Sequence, residues 1–178
     1  SSFNAVSIMT GTGYGSADFS AWGGFASTLL LIAMFIGGCG GSTTCGIKVF
    51  RLQVLATTAR VQISRLLRPH AVVLAYYNKR PVAPEVMDSV MGFFYLYILC
   101  FVLLAILLGM MGLDFVTALS SAATSISNVG PGLGNLIGAS GNFATVPDAA
   151  KWVMAFGMLL GRLELFTVLV MLTPAFWS

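Results

Sequence analysis

The sequence predicts an all-α integral membrane fold with re-entrant segments, and three observations support this. Only 8% of the residues are charged and 57% are hydrophobic, with a mean hydropathy of +0.91. A soluble domain has about 25% charged residues, so this chain cannot cover its surface with polar groups in water. Residues 86–111 form an apolar stretch longer than the roughly 20 residues that a membrane span requires. Two shorter helical stretches each lead into a glycine-rich turn.

Basic residues are concentrated in one segment, between Lys48 and Arg80, which holds seven of the nine and no acidic residue. The positive-inside rule places such a segment on the cytoplasmic side of the membrane. Nucleic-acid binding is the other explanation of a basic run, but next to membrane spans the topological explanation is favoured. We therefore expect residues 48–85 to lie on the cytoplasmic side.

Two features bear on the extent of the chain and on its cysteines. The sequence begins at Ser1, shows no signal-peptide pattern and starts within a motif, so we expect a fragment of a longer polypeptide. The three cysteines, Cys39, Cys45 and Cys100, are odd in number and show no CxxC spacing. We expect neither a disulfide framework nor a metal site among them.

The first half of the chain combines short helices with glycine-rich segments. A short helix at 1–10 leads into TGTGYGS at 10–16, the first Gly-rich turn. An apolar stretch at 22–36 is too short to span a membrane and runs into GGCGGSTTCG at 37–46, the Gly-rich loop. Each glycine costs a helix about 1 kcal/mol relative to alanine, so we expect the helix to stop there. Helical periodicity resumes at 47–67.

The second half follows a linker that Pro69, Pro81 and Pro84 interrupt. It contains, in order, a spanning helix at 86–111, a short helix at 114–127, NVGPGLG at 128–134 (the second Gly-rich turn), a polar loop at 135–149, and a final span at 152–177 that carries Arg162 and Glu164.

The two halves align with each other. Gly13 matches Gly130 at an offset of 117 residues, and Gly37 matches Gly161 at an offset of 124. An internal repeat of this kind predicts pseudo-symmetry. Chance similarity between two membrane segments rich in Gly, Ala and Ser is the alternative.

The arrangement of short helix and Gly-rich turn suits a cation. A re-entrant helix ends within the membrane with unpaired carbonyls at the negative end of its dipole. Glycines allow the following extended backbone to aim successive carbonyls at one axis. A ring of such carbonyls can replace the hydration shell of potassium. The alternative is that the glycines only permit close helix packing.

Four passages resemble the Trk/Ktr/HKT superfamily of potassium uptake proteins, specifically the bacterial Trk-type membrane subunit. They are TGYGSADFSAW (12–22), FIGGCGGSTTCGIKVFR (35–51), SNVGPGLG (127–134) and MLLGRLELFTVLVMLTPAFW (158–177). The resemblance covers essentially the whole chain. It implies potassium-channel-like M1–P-helix–M2 repeats with re-entrant pore loops, four of them around a pseudo-fourfold pore. Residues 1–67 would belong to the third repeat, 68–85 to a cytoplasmic linker and 86–178 to the fourth repeat.

The same resemblance implies roles for individual residues. The selectivity filter would contain Thr12, Gly13, Tyr14, Asn128, Val129 and Gly130, with potassium held at Thr12, Gly13, Asn128 and Val129. A gate within the membrane would contain Gly40, Gly41, Ser42, Thr43, Thr44 and Arg162. For Arg162 a buried structural ion pair with an acidic residue on another helix is the alternative.

The resemblance also implies partners and location. We expect a multi-pass protein of the plasma membrane, in bacteria the inner membrane, that forms a homodimer and binds a cytosolic ring of nucleotide-binding regulatory subunits. Potassium would be the transported ion, with no covalently bound cofactor and no nucleic-acid partner. The choice between potassium and sodium, any coupling ion and the regulatory nucleotide stay open.

Two other classes of protein share some of these sequence features. GSTTCGIK at 41–48 faintly resembles a phosphate-binding loop, but Ile47 separates the second glycine from Lys48 and no Ser or Thr follows the lysine. An enzyme is therefore not expected. An ion-coupled secondary transporter with discontinuous helices remains the alternative function, because short Gly-interrupted segments in two halves fit that class too.

Overall fold

In the computed structural model, the described part of the chain comprises residues 2–38, 45–68, 75–77, 80–134, 136–138, 141–163 and 170–171. It is almost entirely helical, as the sequence predicts. The α-helices are α1 (Ser2–Met9), α2 (Gly24–Phe35), α3 (Val49–Leu67), α4 (Pro84–Met110), α5 (Phe115–Ser127) and α6 (Asp148–Arg162). Short 3-10 helices lie at Phe19–Trp22 and Phe143–Thr145.

α4 is the one described helix that is long and apolar enough to cross a membrane, with 27 residues. It begins at Pro84, two residues before the predicted start of the span at 86. The linker predicted at 68–85 therefore ends too late. Proline suits the first turn of a helix because its missing N–H has no helical partner there and its φ is already helical. Pro84 thus starts the helix that it was expected to precede.

Helix α5 is short and deeply buried. Asp114 caps its N-terminus, accepting a hydrogen bond from the backbone N–H of Thr117 at 3.2 Å. Its last eight residues, 120–127, are all buried. The helix ends at Asn128, which adopts a left-handed conformation with φ of 52°. At 13 residues α5 is too short to span a membrane.

Helix α6 begins at Asp148 rather than at Trp152, so the polar loop expected at 135–149 is shorter than predicted. Pro147 precedes the helix with φ near the helical value, and Asp148 supplies a negative charge in the first turn. Both features favour the start of a helix at this point. Hydropathy placed the boundary later because Asp148 and Lys151 are polar.

The linker contains a small hairpin that the sequence reading did not predict. Strands β1 (Tyr76–Tyr77) and β2 (Arg80–Pro81) are antiparallel, with Tyr76 opposite Pro81. The ring of Tyr77 meets that of Phe50 on α3 edge to face, with centroids 5.0 Å apart. This aromatic contact holds the hairpin against the first turn of α3.

The buried side chains form two clusters. One lies among α4, α5 and α6 and includes Leu108 and Ile126. The other joins α1 and α2 to α5 and includes Ile8 and Met34. Since α5 contributes to both clusters, it connects the two predicted units and fixes where their Gly-rich turns lie.

Candidate functional site

The two Gly-rich turns leave their helices through the same hydrogen bond. The backbone N–H of Thr12 donates to the carbonyl oxygen of Ser7 at 2.9 Å. The backbone N–H of Val129 donates to the carbonyl oxygen of Thr124 at 3.1 Å. Donors and acceptors are each 117 residues apart, which is the offset predicted from the sequence. At this point the repeat is a property of the backbone and not only of the composition.

The backbone conformation repeats as well. Gly11 and Gly13 have φ of 68° and 76°, and the corresponding Asn128 and Gly130 have φ of 52° and 110°. The residue between each pair has negative φ. Each turn thus alternates in the sign of φ, which glycine allows and which asparagine tolerates better than other residues.

Some carbonyls expected to be free at the helix ends are in use. Besides the bonds already described, the N–H of Gly11 donates to Ile8 O at 3.1 Å and that of Asn128 to Ser125 O at 3.2 Å. The prediction of unpaired terminal carbonyls is wrong at these acceptors. After α1 and after α5 the backbone folds back over the helix end before it extends, and the N–H groups of this folded-back segment pair the terminal carbonyl oxygens.

The turns of the two units meet directly. A Cβ added to Gly13 would overlap the carbonyl oxygen of Val129 and lie 3.1 Å from Cδ of Pro131. A Cβ on Gly130 would lie 4.0 Å from the Cα of Gly13. Of the predicted filter residues, Gly13 is therefore brought against Val129 and Gly130. Tyr14 is 72% exposed.

Several residues that the sequence reading did not single out support the second turn. Thr124 Oγ1 accepts from the N–H of Gly130 at 2.9 Å, and Tyr97 and Ser127 share a buried hydroxyl contact of 2.9 Å. The side-chain amide of Asn128 donates to the carbonyl oxygen of Met158 on α6 at 2.9 Å. The abundance of Ser and Thr in α5 was the available signal, since buried hydroxyls need partners.

Two glycines of α6 allow this helix to pack closely against α4 and α5. A Cβ on Gly161 would overlap the carbonyl oxygen of Ile126, and one on Gly157 would lie 3.0 Å from Leu104 Cδ1. Residues four apart lie on one face of a helix, and small residues there let backbones approach closely. Close packing, the alternative explanation for the turn glycines, thus applies to these helix glycines.

The Gly-rich loop leaves and rejoins the helical path at one point. The N–H of Gly37 donates to Ile47 O at 2.9 Å, and the N–H of Ile47 donates to Phe35 O at 2.8 Å. The N–H of Val49 donates to Gly38 O at 3.2 Å, so the two ends of the loop run parallel. Five predicted gate residues, Gly40, Gly41, Ser42, Thr43 and Thr44, lie outside the described residues.

Arg162 ends α6 next to the place where the loop rejoins the chain. Its Nη1 lies 3.6 Å from Sγ of Cys45, whose side chain is buried. Because α6 begins at Asp148, Arg162 lies about 21 Å along the helix, at a rise of about 1.5 Å per residue. Glu164 lies outside the described residues.

A family model described as "TrkH: Cation transport protein" matches residues 1–178. The chain belongs to this TrkH family. It is 50% identical over 175 residues to the Trk system potassium uptake protein TrkI of Halomonas elongata, covering 98% of this chain and 36% of that protein. It is 37% identical to the Trk system potassium uptake protein TrkH of Escherichia coli, with the same coverage.

The fold agrees with the family. The chain matches the crystal structure of the potassium transporter TrkH from Vibrio parahaemolyticus with a TM-score of 0.90 and 42% identity. The match covers 99% of this chain and 37% of that one. The chain thus spans little more than a third of the length of these TrkH-family relatives.

Proposed function

We propose that this chain is part of a membrane protein that takes up potassium through a selectivity-filter pore. The observation that most directly supports this function is the contact between two Gly-rich turns that share one hydrogen-bond pattern and one alternation in the sign of φ. In this proposal the chain supplies the end of the third and all of the fourth M1–P-helix–M2 repeat around a pseudo-fourfold pore.

The filter would use backbone oxygens of residues 12–14 and 128–130. In a strand, successive carbonyls point to opposite sides, whereas alternation in the sign of φ turns neighbouring carbonyls toward one side. Both turns alternate in this way. Four such turns around an axis would offer potassium a shell of carbonyl oxygens in place of water. The relatives named as potassium uptake proteins support the choice of ion.

The gate would lie below the filter. The Gly-rich loop emerges between α2 and α3 from a base fixed by three backbone hydrogen bonds. The three bonds of this base are made by residues 35–38 and 47–49. The guanidinium of Arg162 beside Cys45 would add positive charge there and raise the energy of a passing cation.

The membrane setting and the partners complete the proposal. Helix α3 carries Arg51, Arg60 and Arg65, which suits the cytoplasmic side of a bacterial inner membrane. The full-length protein would be a homodimer regulated by a cytosolic ring of nucleotide-binding subunits.

Recording ion currents from the full-length protein in planar bilayers tests the proposal. We expect unitary currents carried by potassium in preference to sodium. The rival is an ion-coupled secondary transporter, which broken helices also fit. Potassium flux that saturates at low turnover and moves in fixed stoichiometry with a second ion, without unitary currents, would overturn the pore in favour of that rival.

A further inference from the structure

Asn4 is a fully buried amide within α1, with 0% of its surface exposed. Its side chain bonds to Ser16, at the end of the first Gly-rich turn, and to Ala17. Its Oδ1 accepts from the backbone N–H of Ser16 at 3.0 Å and from Ser16 Oγ at 2.8 Å. Its Nδ2 donates to the carbonyl oxygen of Ala17 at 3.3 Å. The side chain thus ties residues 16–17 back to the helix that precedes the turn.

The segment between is held at both ends. At its start, the N–H of Thr12 bonds to Ser7 O, and at its end Ser16 bonds to Asn4. Only residues 13–15 lie between these attachments. Moving either one must shift the carbonyls of this short segment, because so few dihedral angles can absorb the change.

In the second unit, the end of the Gly-rich turn is attached to its helix by different side chains. At the offset of 117, Asn4 corresponds to Ser121 and Ser16 to Leu133. Ser121 Oγ is buried without a hydrogen-bond partner. Leu133 O instead accepts from Ser120 Oγ at 3.1 Å. A serine hydroxyl thus bonds the second turn at the place where the amide of Asn4 bonds the first, so the repeat does not itself require an amide at this position.

We propose that Asn4 is a positioning residue of the filter, whose buried amide sets the carbonyl geometry of residues 12–14 by fixing residues 16 and 17. This rests on the proposed role of the first turn as part of the filter. Discrimination between potassium and sodium depends on the number and arrangement of the coordinating carbonyls. The three bonds from Asn4 to Ser16 and Ala17 are called the clamp. Loss of the clamp therefore changes selectivity more than it changes the amount of folded protein.

The test compares permeability ratios of potassium to sodium in the full-length protein. Asn4→Leu keeps the side-chain size but removes all three bonds, and we expect the ratio to fall several-fold. Asn4→Asp keeps an acceptor for both bonds from Ser16 but loses the donor to Ala17 O, so its ratio should lie between those of the parent and of Asn4→Leu. Ser121→Ala is the matched control, since this hydroxyl has no partner, and should leave the ratio unchanged.

The outcomes separate the two proposals. If Asn4→Leu lowers the yield but the surviving molecules keep the normal ratio, Asn4 is only structural and the inference is wrong. If Gly13→Ala changes the ratio and Asn4→Leu does not, the filter stands and this inference alone fails. If neither changes it, the filter assignment of the first turn fails as well. Should Asn4→Leu not fold, Asn4→Ser decides, since it introduces the residue that the second unit has at this position and removes the amide that bonds both Ser16 and Ala17. A lowered ratio supports the proposal, and a normal ratio overturns it.

Discussion

Gly13 lies against the carbonyl oxygen of Val129, so closely that a Cβ at position 13 would overlap that oxygen. The contact joins backbone from two units that are far apart in the sequence. Two independent features favour glycine at position 13: its φ is 76°, and a Cβ there would overlap that oxygen.

We expect Gly13→Ala and Gly130→Ala in the full-length protein to lower the permeability ratio of potassium to sodium. Gly13→Ala should act more strongly, because it meets both the steric overlap and the positive φ, whereas Gly130 meets only the strain of φ at 110°. Gly109→Ala on α4, where nothing lies within 4 Å, is the control and should leave the ratio normal. A normal ratio in both turn variants would remove these residues from the filter.

Gly161→Ala should destabilise the seat of α6 by about 1–3 kcal/mol, the usual range for overpacking, because its Cβ would overlap Ile126 O. Gly157→Ala should cost less, since its nearest neighbour is the end of the Leu104 side chain. Thermal unfolding in detergent would measure both. Equal midpoints for Gly161→Ala and the Gly109→Ala control would show that the close approach of α6 and α5 is not required.

Deleting residues 40–43 should raise potassium flux and weaken regulation without abolishing folding. The base of the loop keeps its three hydrogen bonds, all made by residues 35–38 and 47–49. Gly46→Ala is the contrasting variant. Gly46 has φ of 85°, and the added Cβ would lie 3.1 Å from Phe35 O, so this change disturbs the base of the loop and should lower the yield instead. Flux and gating unchanged after the deletion would mean that the loop is only a structural break in the helix.

Arg162→Ala should increase cation flux, since it removes a positive charge beside the base of the loop. Arg162→Lys keeps the charge and should stay closer to the parent protein. Arg60→Ala, on the exposed face of α3, is the control. If Arg162→Ala mainly reduces folded protein and the remaining molecules conduct as before, Arg162 has the structural ion-pair role.

The sequence predicted the helices and the repeat because each depends on local pattern. Apolar length and glycine content marked the end of α2, and the spacing of Gly13 and Gly130 gave the offset that the hydrogen bonds reproduce. The supports behind the turns were not predictable in the same way. The bond from Asn128 to Met158 depends on how α5 and α6 pack, and the bonds of Asn4 depend on how the first turn folds back over α1. Composition alone specifies neither.

The helix boundaries that were wrong share a physical cause. α4 and α6 both begin earlier than hydropathy suggested, at Pro84 and Asp148. Hydropathy reports where lipid or core begins, whereas helix starts depend on capping and on proline. The polar first turn of such a helix lies outside the apolar window and is read as loop.

Asp114 offers a pH test of the cap on α5. Hydrogen bonds from the side chain and the backbone N–H of Thr117 hold the pKa of this carboxyl below its ordinary value. A pKa lowered by folding adds stability above the unfolded value, about 3.9, and that stability is lost as pH falls through the folded value. The parent protein should therefore lose part of its thermal stability below about pH 4.

Two variants separate this cap from general acid denaturation. Asp114→Asn keeps a good cap without a titrating group, so the decline in its unfolding temperature below about pH 4 should be smaller than in the parent. Asp114→Ala removes the cap and should cost about 1 kcal/mol at neutral pH. If the parent and Asp114→Asn lose stability in parallel on acidification, the charge of Asp114 does not contribute to holding α5, and the second turn takes its position from the contacts of Asn128 and Thr124 instead.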